Sequence, residues 1–213
     1  MKTKVVTFTS APNNYGHKQL IRSLDFWQVD YHVINEPWRG FGTKIIETAK
    51  YVEGIKNEYK DFIFVDGHDT FFLQKPERRH FPHCALVSCE KACWPDSSLE
   101  HNWSGVPTRW KYPNSGSYYF PIELFMQVVA ENPINPSDDD QLWLQRVILS
   151  HKYDIQLDHE CDIFQSIAFL ADDEYEIDIS ELRNKITGKW PIIIHNNGGN
   201  AKNPMEWIYN LIQ

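Results

Sequence analysis

The stretch FVDGHDT, Phe64 to Thr70, decides the fold that we predict for this sequence. It continues an apolar run, FIFV (62–65), of the kind that forms a central strand buried on both faces of a parallel sheet. Asp66 and Asp69 follow directly, so two carboxylates stand at the carboxyl end of this strand. Ligand sites of open α/β sheets lie beyond such strand ends. We therefore expect a functional site at this edge of the sheet.

Strand-like and helix-like segments alternate along the 213 residues, which indicates an α/β fold. We predict a mostly parallel sheet flanked by helices, Rossmann-like, in a single domain over residues 1–213. The strands are predicted at 4–9, 31–34, 62–65, 85–88, 118–120 and 191–194. The helices are predicted at 17–26, 43–59, 121–129, 138–149 with Ser137 as its cap, and 204–212.

Composition argues against several classes of function. The net charge is −8 and the basic residues are scattered, so nucleic acid is not an indicated partner. The short apolar run at the N-terminus predicts neither a signal peptide nor a membrane span, so we expect a cytoplasmic protein without membrane contact. The four cysteines lack paired CxxC spacing, which favours reduced, partly buried thiols over a zinc site.

The two acids of FVDGHDT have two interpretations. Carboxylates at a strand end can hold a divalent ion, which neutralises the charge on a departing diphosphate. Gly67 lets the backbone turn sharply between Asp66 and Asp69. The alternative is a plain turn in which Asp serves turn chemistry.

His195 closes the last predicted strand, and the loop NNGGNAK, 196–202, follows it. An imidazole at a strand end can complete a mixed oxygen and nitrogen site, which suits manganese better than calcium. The glycine-rich loop exposes N–H groups and Lys202 adds a cation, so a phosphate can be held here. A turn histidine before an Asn/Gly loop is the alternative.

Three further segments are candidates. Asp138, Asp139 and Asp140 begin a predicted helix; they either stabilise its dipole or bind sugar hydroxyls and act as a base. Asn114, in the NSG stretch before a predicted strand, marks either a close approach of a ligand to the backbone or a plain turn. Trp94, in a loop stiffened by a proline, either covers a sugar or caps the core.

Taken in order, these segments resemble the glycosyltransferase domain of the procollagen lysyl hydroxylase family, which has a GT-A-type fold. The resemblance extends from about residue 38 to residue 202, and a series of motifs in the same order is far more specific than any one of them. The matching stretches are Trp38-Arg39-Gly40, Lys44, FVDGHDT, SCEKACWPD (88–96), YPNSGSYYF (112–120), DDDQLW (138–143), LDHECDIFQSI (157–167) and IIIHNNGG (192–199).

The resemblance implies a role for each of these residues. Asp66, Asp69 and His195 would ligate Mn²⁺, or Mg²⁺, together with the diphosphate of a UDP-sugar donor. Trp94 would cover the donor sugar, with Asp139 and Asp140 at the sugar and acceptor side. The remaining donor contacts would come from Lys44, Asn114, Asn197, Gly198 and Lys202.

Three departures from the family pattern matter. His68 stands where the family has a phenol that stacks on the base, so we expect it against the base with a relaxed donor preference, a surface turn being the alternative. The loop before Lys202 is one residue longer. The family's hydroxylase domain does not fit in this length, so we expect the transferase alone, from a microbe or virus.

We therefore expect transfer of a hexose, glucose or galactose, from a UDP-hexose to a hydroxyl of a protein, glycan or small molecule. A non-catalytic nucleotide-sugar or glycan-binding module of the same fold is the alternative. A nucleotidyltransferase or phosphate-ester hydrolase could use the same metal carboxylates, but the N-terminal segment lacks a basic triphosphate loop.

Overall fold

The structure of the protein is a computed structural model that describes residues 3–178, 181–198 and 205–210. Its strands are β1 (Thr3–Thr9), β2 (Tyr31–Asn35), β3 (Asp61–Asp66), β4 (Thr70–Phe72), β5 (Ala85–Glu90), β6 (Tyr112–Pro121), β7 (Ile155–Leu157), β8 (Phe164–Ser166), β9 (Tyr175–Asp178), β10 (Glu181–Asn184) and β11 (Ile193–His195). Its α-helices are α1 (Tyr15–Phe26), α2 (Gly42–Ile55), α3 (Ile122–Glu131), α4 (Asp140–Leu149) and α5 (Met205–Tyr209).

The central sheet has six strands in the order β2-β1-β3-β6-β5-β7. Its pairs are parallel except on the two sides of β6, which runs antiparallel to β3 and β5. The predicted mostly parallel sheet is therefore confirmed. A three-stranded sheet, β4-β11-β8, and a β9–β10 hairpin complete the described strands.

Two layers of the core cover the two faces of the central sheet. Along β3, Phe62 and Phe64 pack on one face, while Ile63 and Val65 pack on the other. This is the strand alternation expected when both faces are buried. The first layer holds apolar residues of α2, α3 and α4, and the second holds those of α1 and of the three-stranded sheet.

Several predicted boundaries were wrong. The first helix begins at Tyr15 rather than residue 17, because the side chain of Asn14 accepts hydrogen bonds from the first turn. The second helix ends at Ile55 rather than residue 59. Helix α4 is capped by Asp139, not Ser137. The strand predicted at 191–194 is β11, Ile193–His195.

The largest difference lies in β6, which runs from Tyr112 to Pro121 and contains the NSG stretch that the sequence analysis places before the strand. Strands β4, β7, β8, β9 and β10 were not predicted. The helix predicted at 204–212 appears as α5 and ends at Tyr209, while residues 204, 211 and 212 lie outside those described. The four cysteines are buried free thiols. Among the described residues, no helix is long and apolar enough to cross a membrane.

Candidate active site

A cavity of about 460 Å³ opens at the carboxyl ends of β3 and β5 and beside the start of β6. The starts of α2 and α4 close it on one side, and the segment that follows β8 lines another part of it. Ten of the residues predicted from the sequence line this cavity: Lys44, Asp66, Asp69, Trp94, Asn114, Asp139, Asp140, His195, Asn197 and Gly198.

Asp66, Asp69 and His195 converge at the floor of the cavity. One ligand atom from each lies within 4.8 Å of the others. The Nε2 atom of His195 is 3.7 Å from a carboxylate oxygen of Asp66 and 3.5 Å from one of Asp69. Among the described residues, no other group of three such side chains has metal-binding geometry.

The ring of His195 is held so that Nε2 faces the carboxylates. Its Nδ1 atom lies 2.9 Å from the side-chain oxygen of Asn114, an arrangement in which Nδ1 carries the proton and donates it. In the neutral ring Nε2 is then an acceptor, and it is buried with no hydrogen-bond partner among the described residues. A histidine oriented in this way, with an unsatisfied nitrogen toward two carboxylates, fits a divalent metal ion.

Gly116 gives the imidazole of His195 its space. A Cβ atom at position 116 would lie 2.0 Å from Cε1 and 2.6 Å from each ring nitrogen of His195. The backbone N–H of Gly116 also donates to the oxygen of Asn114 that accepts from the imidazole. The NSG stretch therefore acts as a strand segment that supports His195.

Lys44 connects Asp66 to the acidic start of α4. Its Nζ atom is 2.8 Å from Asp66 and 2.8 Å from Asp140, and its side chain is buried. Burial alone would lower the pKa of Lys44, but Asp140 and Asp66 raise it well above its ordinary value. Burial raises the pKa of Asp140 against the opposing effect of Lys44. The ammonium group offsets part of the negative charge in the cavity.

Electrostatics at His195 favour positive charge on the ring. Burial acts to lower the pKa of His195, but the carboxylates of Asp69 and Asp66 outweigh it, so the pKa is raised above its ordinary value. The same two carboxylates that favour an imidazolium would favour a metal cation at this position.

Asp139 and Asp140 have different environments, although they are neighbours. Asp139 is the N-cap of α4, and its Oδ1 accepts from the backbone N–H of Leu142 at 2.8 Å. Asp140 is buried and pairs with Lys44. Asp138 lies before the helix and accepts from Asn135. The helix-cap interpretation therefore applies to Asp139, whereas the ion pair explains the burial of Asp140.

The other predicted site residues occupy three kinds of position. Trp94 is 64% exposed at the cavity rim, and its carbonyl accepts from two glutamine side chains of α4. His68 is outside the cavity lining, with Nε2 2.8 Å from Thr9 Oγ1, so its contact with a base stays a prediction. Lys202 lies outside the described residues.

Glu90 is the main cavity residue that the sequence reasoning missed. It is the last residue of β5 and is buried, and its carboxylate accepts hydrogen bonds from the amides of Asn114, Gln141 and Asn197. Burial raises the pKa of Glu90, although the Asn114 and Gln141 amides act to lower it. Glu90 thus joins β6, α4 and the segment after β11. A strand-end acid within SCEKACWPD was the available signal.

The amino-acid sequence matches a known protein family over its full length. The family described as the PLOD GT domain matches residues 1–213. The chain belongs to this family. The suspected relationship to procollagen lysyl hydroxylases is therefore confirmed, and the chain is a glycosyltransferase-family domain.

Individual PLOD GT relatives are distant and mostly much longer. The human multifunctional procollagen lysine hydroxylase and glycosyltransferase LH3 is 26% identical over 220 residues, covering 92% of this chain and 30% of that protein. The uncharacterized protein R699 of Acanthamoeba polyphaga mimivirus is 32% identical over 177 residues, covering 78% of this chain and 38% of that protein. The chain thus spans only about a third of these relatives.

Solved structures support the fold of this PLOD GT domain. A glycosyltransferase involved in the glycosylation of the major capsid of PBCV-1 matches with a TM-score of 0.58 at 10% identity, covering 99% of this chain and 98% of that one. The bifunctional glycosyltransferase WbbM in its apo form matches with a TM-score of 0.54 at 12% identity, covering 98% of this chain and 51% of that one. The predicted GT-A fold is confirmed.

Proposed function

We propose that this domain transfers a hexose, glucose or galactose, from a UDP-sugar to an acceptor hydroxyl with the help of Mn²⁺ or Mg²⁺. The observation that carries the proposal is the buried, unpartnered Nε2 of His195, which faces Asp66 and Asp69 in the cavity. Membership of the PLOD GT family supports the glycosyl transfer.

The three ligands would hold the cation, which when bound neutralises charge on the departing diphosphate. Lys44 keeps Asp66 in place through its 2.8 Å ion pair and adds a positive charge beside it. Asn114 keeps the lone pair of His195 Nε2 directed at the carboxylates.

The acidic start of α4 would serve the sugar and acceptor side. Asp140 is close to the metal-binding acids because both it and Asp66 pair with Lys44. Asp139 uses Oδ1 for the helix cap and retains Oδ2 for a sugar hydroxyl or for the proton of the acceptor. Trp94 lies over the cavity rim, where it would cover the donor sugar.

Two measurements test the proposal together. Release of UDP from a panel of UDP-sugars with Mn²⁺ tests turnover, and calorimetry of UDP with and without Mn²⁺ tests the metal site. Asp66→Asn should weaken Mn²⁺-dependent UDP binding at least about tenfold, since an incomplete ligand shell holds a dication poorly. Asp162→Asn, which changes an acid with a side chain 59% exposed, is the matched control.

UDP binding that is equally strong without metal and in Asp66→Asn would remove the basis of the proposal. Mn²⁺-dependent UDP binding with no release of UDP from any UDP-sugar would instead indicate a non-catalytic nucleotide-sugar-binding module.

A further inference from the structure

Phe169 is an unusual residue at the cavity rim. Its side chain is 61% exposed, and its backbone has a φ of +58°, in the left-handed region that bulky residues rarely adopt. It follows β8 and lines the cavity together with Ala168. An exposed aromatic ring in a strained backbone conformation gains nothing from core packing, and such outliers concentrate at ligand-binding positions.

A partly buried lysine holds Phe169 in this place. Lys91 Nζ donates to the carbonyl oxygen of Phe169 at 2.9 Å and forms an ion pair with Glu174. Glu174 in turn accepts from the backbone N–H of Ala171 at 2.9 Å. Lys91 lies three residues before Trp94, so the segments that carry the two exposed aromatic residues are tied together at their base.

The polarity of the cavity limits the chemistry of the ligand. Trp94 and Phe169 give the rim two apolar aromatic surfaces, whereas the interior carries the carboxylates of Glu90 and Asp139 and the amide of Gln141. A neutral sugar ring matches both surfaces, because its C–H face can lie against an aromatic ring while its hydroxyls donate to carboxylates. An anionic acceptor would be repelled by these acids, whereas the diphosphate of the donor would be held by the proposed divalent cation.

We infer that Phe169 binds a saccharide ring of the acceptor beside the donor sugar that Trp94 would cover, so that the acceptor is a neutral carbohydrate. The inference rests on the proposed function. In the reaction, the acceptor hydroxyl oxygen bonds to the anomeric carbon of the donor hexose. The bond from that carbon to the diphosphate oxygen breaks, its electron pair leaves with UDP, and the hydroxyl proton passes to a carboxylate or to water.

The test compares acceptors and variants with the UDP-sugar that wild type uses. Methyl glycosides of neutral hexoses should be glycosylated with a higher kcat/KM than peptides that carry serine or hydroxylysine. Phe169→Gly removes the ring but tolerates the left-handed backbone, so it should raise the melting temperature and raise the KM for the glycoside at least tenfold. Phe169→Trp, which retains an aromatic surface, should keep the KM within about threefold of wild type.

Phe26→Ala is the control, because Phe26 is a similarly exposed ring at the end of α1 outside the cavity. A preference for peptides, no transfer to any glycoside, or an unchanged glycoside KM in Phe169→Gly would overturn the inference. These outcomes differ from failure of the proposed function, in which wild type shows neither Mn²⁺-dependent UDP binding nor release of UDP from any UDP-sugar.

Discussion

The side-chain oxygen of Asn114 lies 2.9 Å from Nδ1 of His195 and also accepts the backbone N–H of Gly116. Asn114 lies in the central sheet and His195 in the three-stranded sheet, and the two residues are 81 positions apart in the chain. The contact fixes the orientation of the His195 ring and places the proton of the neutral imidazole on Nδ1. Under the proposed function, this would make Asn114 a positioning residue for the metal ion.

Asn114→Ala should therefore reduce Mn²⁺ affinity in the presence of UDP by about 10- to 100-fold, the usual effect of losing a group that orients a metal-binding histidine. Electron paramagnetic resonance of free Mn²⁺ measures this affinity directly. Asn102→Ala, which removes an exposed asparagine bonded to Leu99, should leave it unchanged. Equal Mn²⁺ affinity in both variants would contradict the role of Asn114.

Gly116→Ala should displace the imidazole of His195, because the new Cβ would overlap its ring. We expect at least about a tenfold loss of Mn²⁺ affinity, read by the same titration. Gly54→Ala is the control, since its Cβ would have nothing within 4 Å, and removing a helical glycine should add about 0.5–1 kcal/mol of stability. Retention of wild-type affinity in Gly116→Ala would show that His195 is not a ligand.

Substitutions at the acidic start of α4 can distinguish a helix-capping role from a catalytic role. Asp139→Ala should cost about 1 kcal/mol in the free energy of unfolding, whereas Asp139→Asn should preserve it because Asn caps a helix equally well. If the acids act on sugar or acceptor, Asp139→Asn or Asp140→Asn should lower kcat at least about tenfold with UDP affinity nearly unchanged. Asp138→Asn, outside the cavity lining, is the control. If the variants at Asp139 and Asp140 both lose stability but keep full activity, these two acids have only a structural role.

The buried Glu174 makes the Phe169 segment sensitive to acid. Burial acts to raise the pKa of Glu174, but the N–H of Ala171 and the charges of Lys91 and Arg109 lower it below its ordinary value of 4.5. A lowered pKa means that the carboxylate stabilises the fold above about pH 4.5 and that this contribution disappears as the pH falls through the folded-state pKa.

We expect Glu174→Gln to lose about 1–3 kcal/mol at pH 7, since Lys91 is left without its charged partner. The difference from wild type should shrink below pH 4.5, as shown by urea unfolding between pH 7 and pH 3.5. Glu176→Gln, in a half-exposed ion pair with Arg183, should show little effect at any pH. If the difference in the free energy of unfolding between Glu174→Gln and wild type stays constant with pH, the ionisation of Glu174 does not cause the loss of stability.

The contact of His68 with the nucleotide base remains a prediction. Stacking on a base is worth about 1–3 kcal/mol, so His68→Ala should weaken the binding of a UDP-sugar and His68→Tyr, with a larger face, should tighten it. Calorimetric dissociation constants decide this, with the exposed His101→Ala as control. If neither substitution changes the constant, His68 serves only the turn, where its ring nitrogen contacts Thr9.

The sequence was most informative where a local pattern of residue types is typical of few structures. The apolar FIFV followed by acids indicated both the buried strand β3 and the position of the site. The start of β6 was mispredicted at Asn114 to Gly116, because Asn, Ser and Gly favour turns. They lie inside β6 because the ring of His195 needs a glycine against it, a requirement that only the three-dimensional structure shows.

Glu90 and Phe169 were missed for related reasons. A single glutamate has no periodicity, and its importance comes from three amides that reach it from distant parts of the chain. Phe169 looks like an ordinary core residue in sequence, and only its exposure and positive φ distinguish it.

The distribution of the three proposed metal ligands over two sheets would have a consequence for biosynthesis. Asp66 ends β3 and Asp69 lies in the turn toward β4, whereas His195 arrives with β11 near the end of the chain. A growing chain that has emerged only as far as β6 therefore offers two carboxylates without the imidazole. Capture of a metal ion would follow synthesis of β11, and the ion would then join both sheets. A ligand at 100 times its dissociation constant adds about 2.7 kcal/mol to the folded state. Metal and donor supply would thus set how long a newly made domain resists proteolysis.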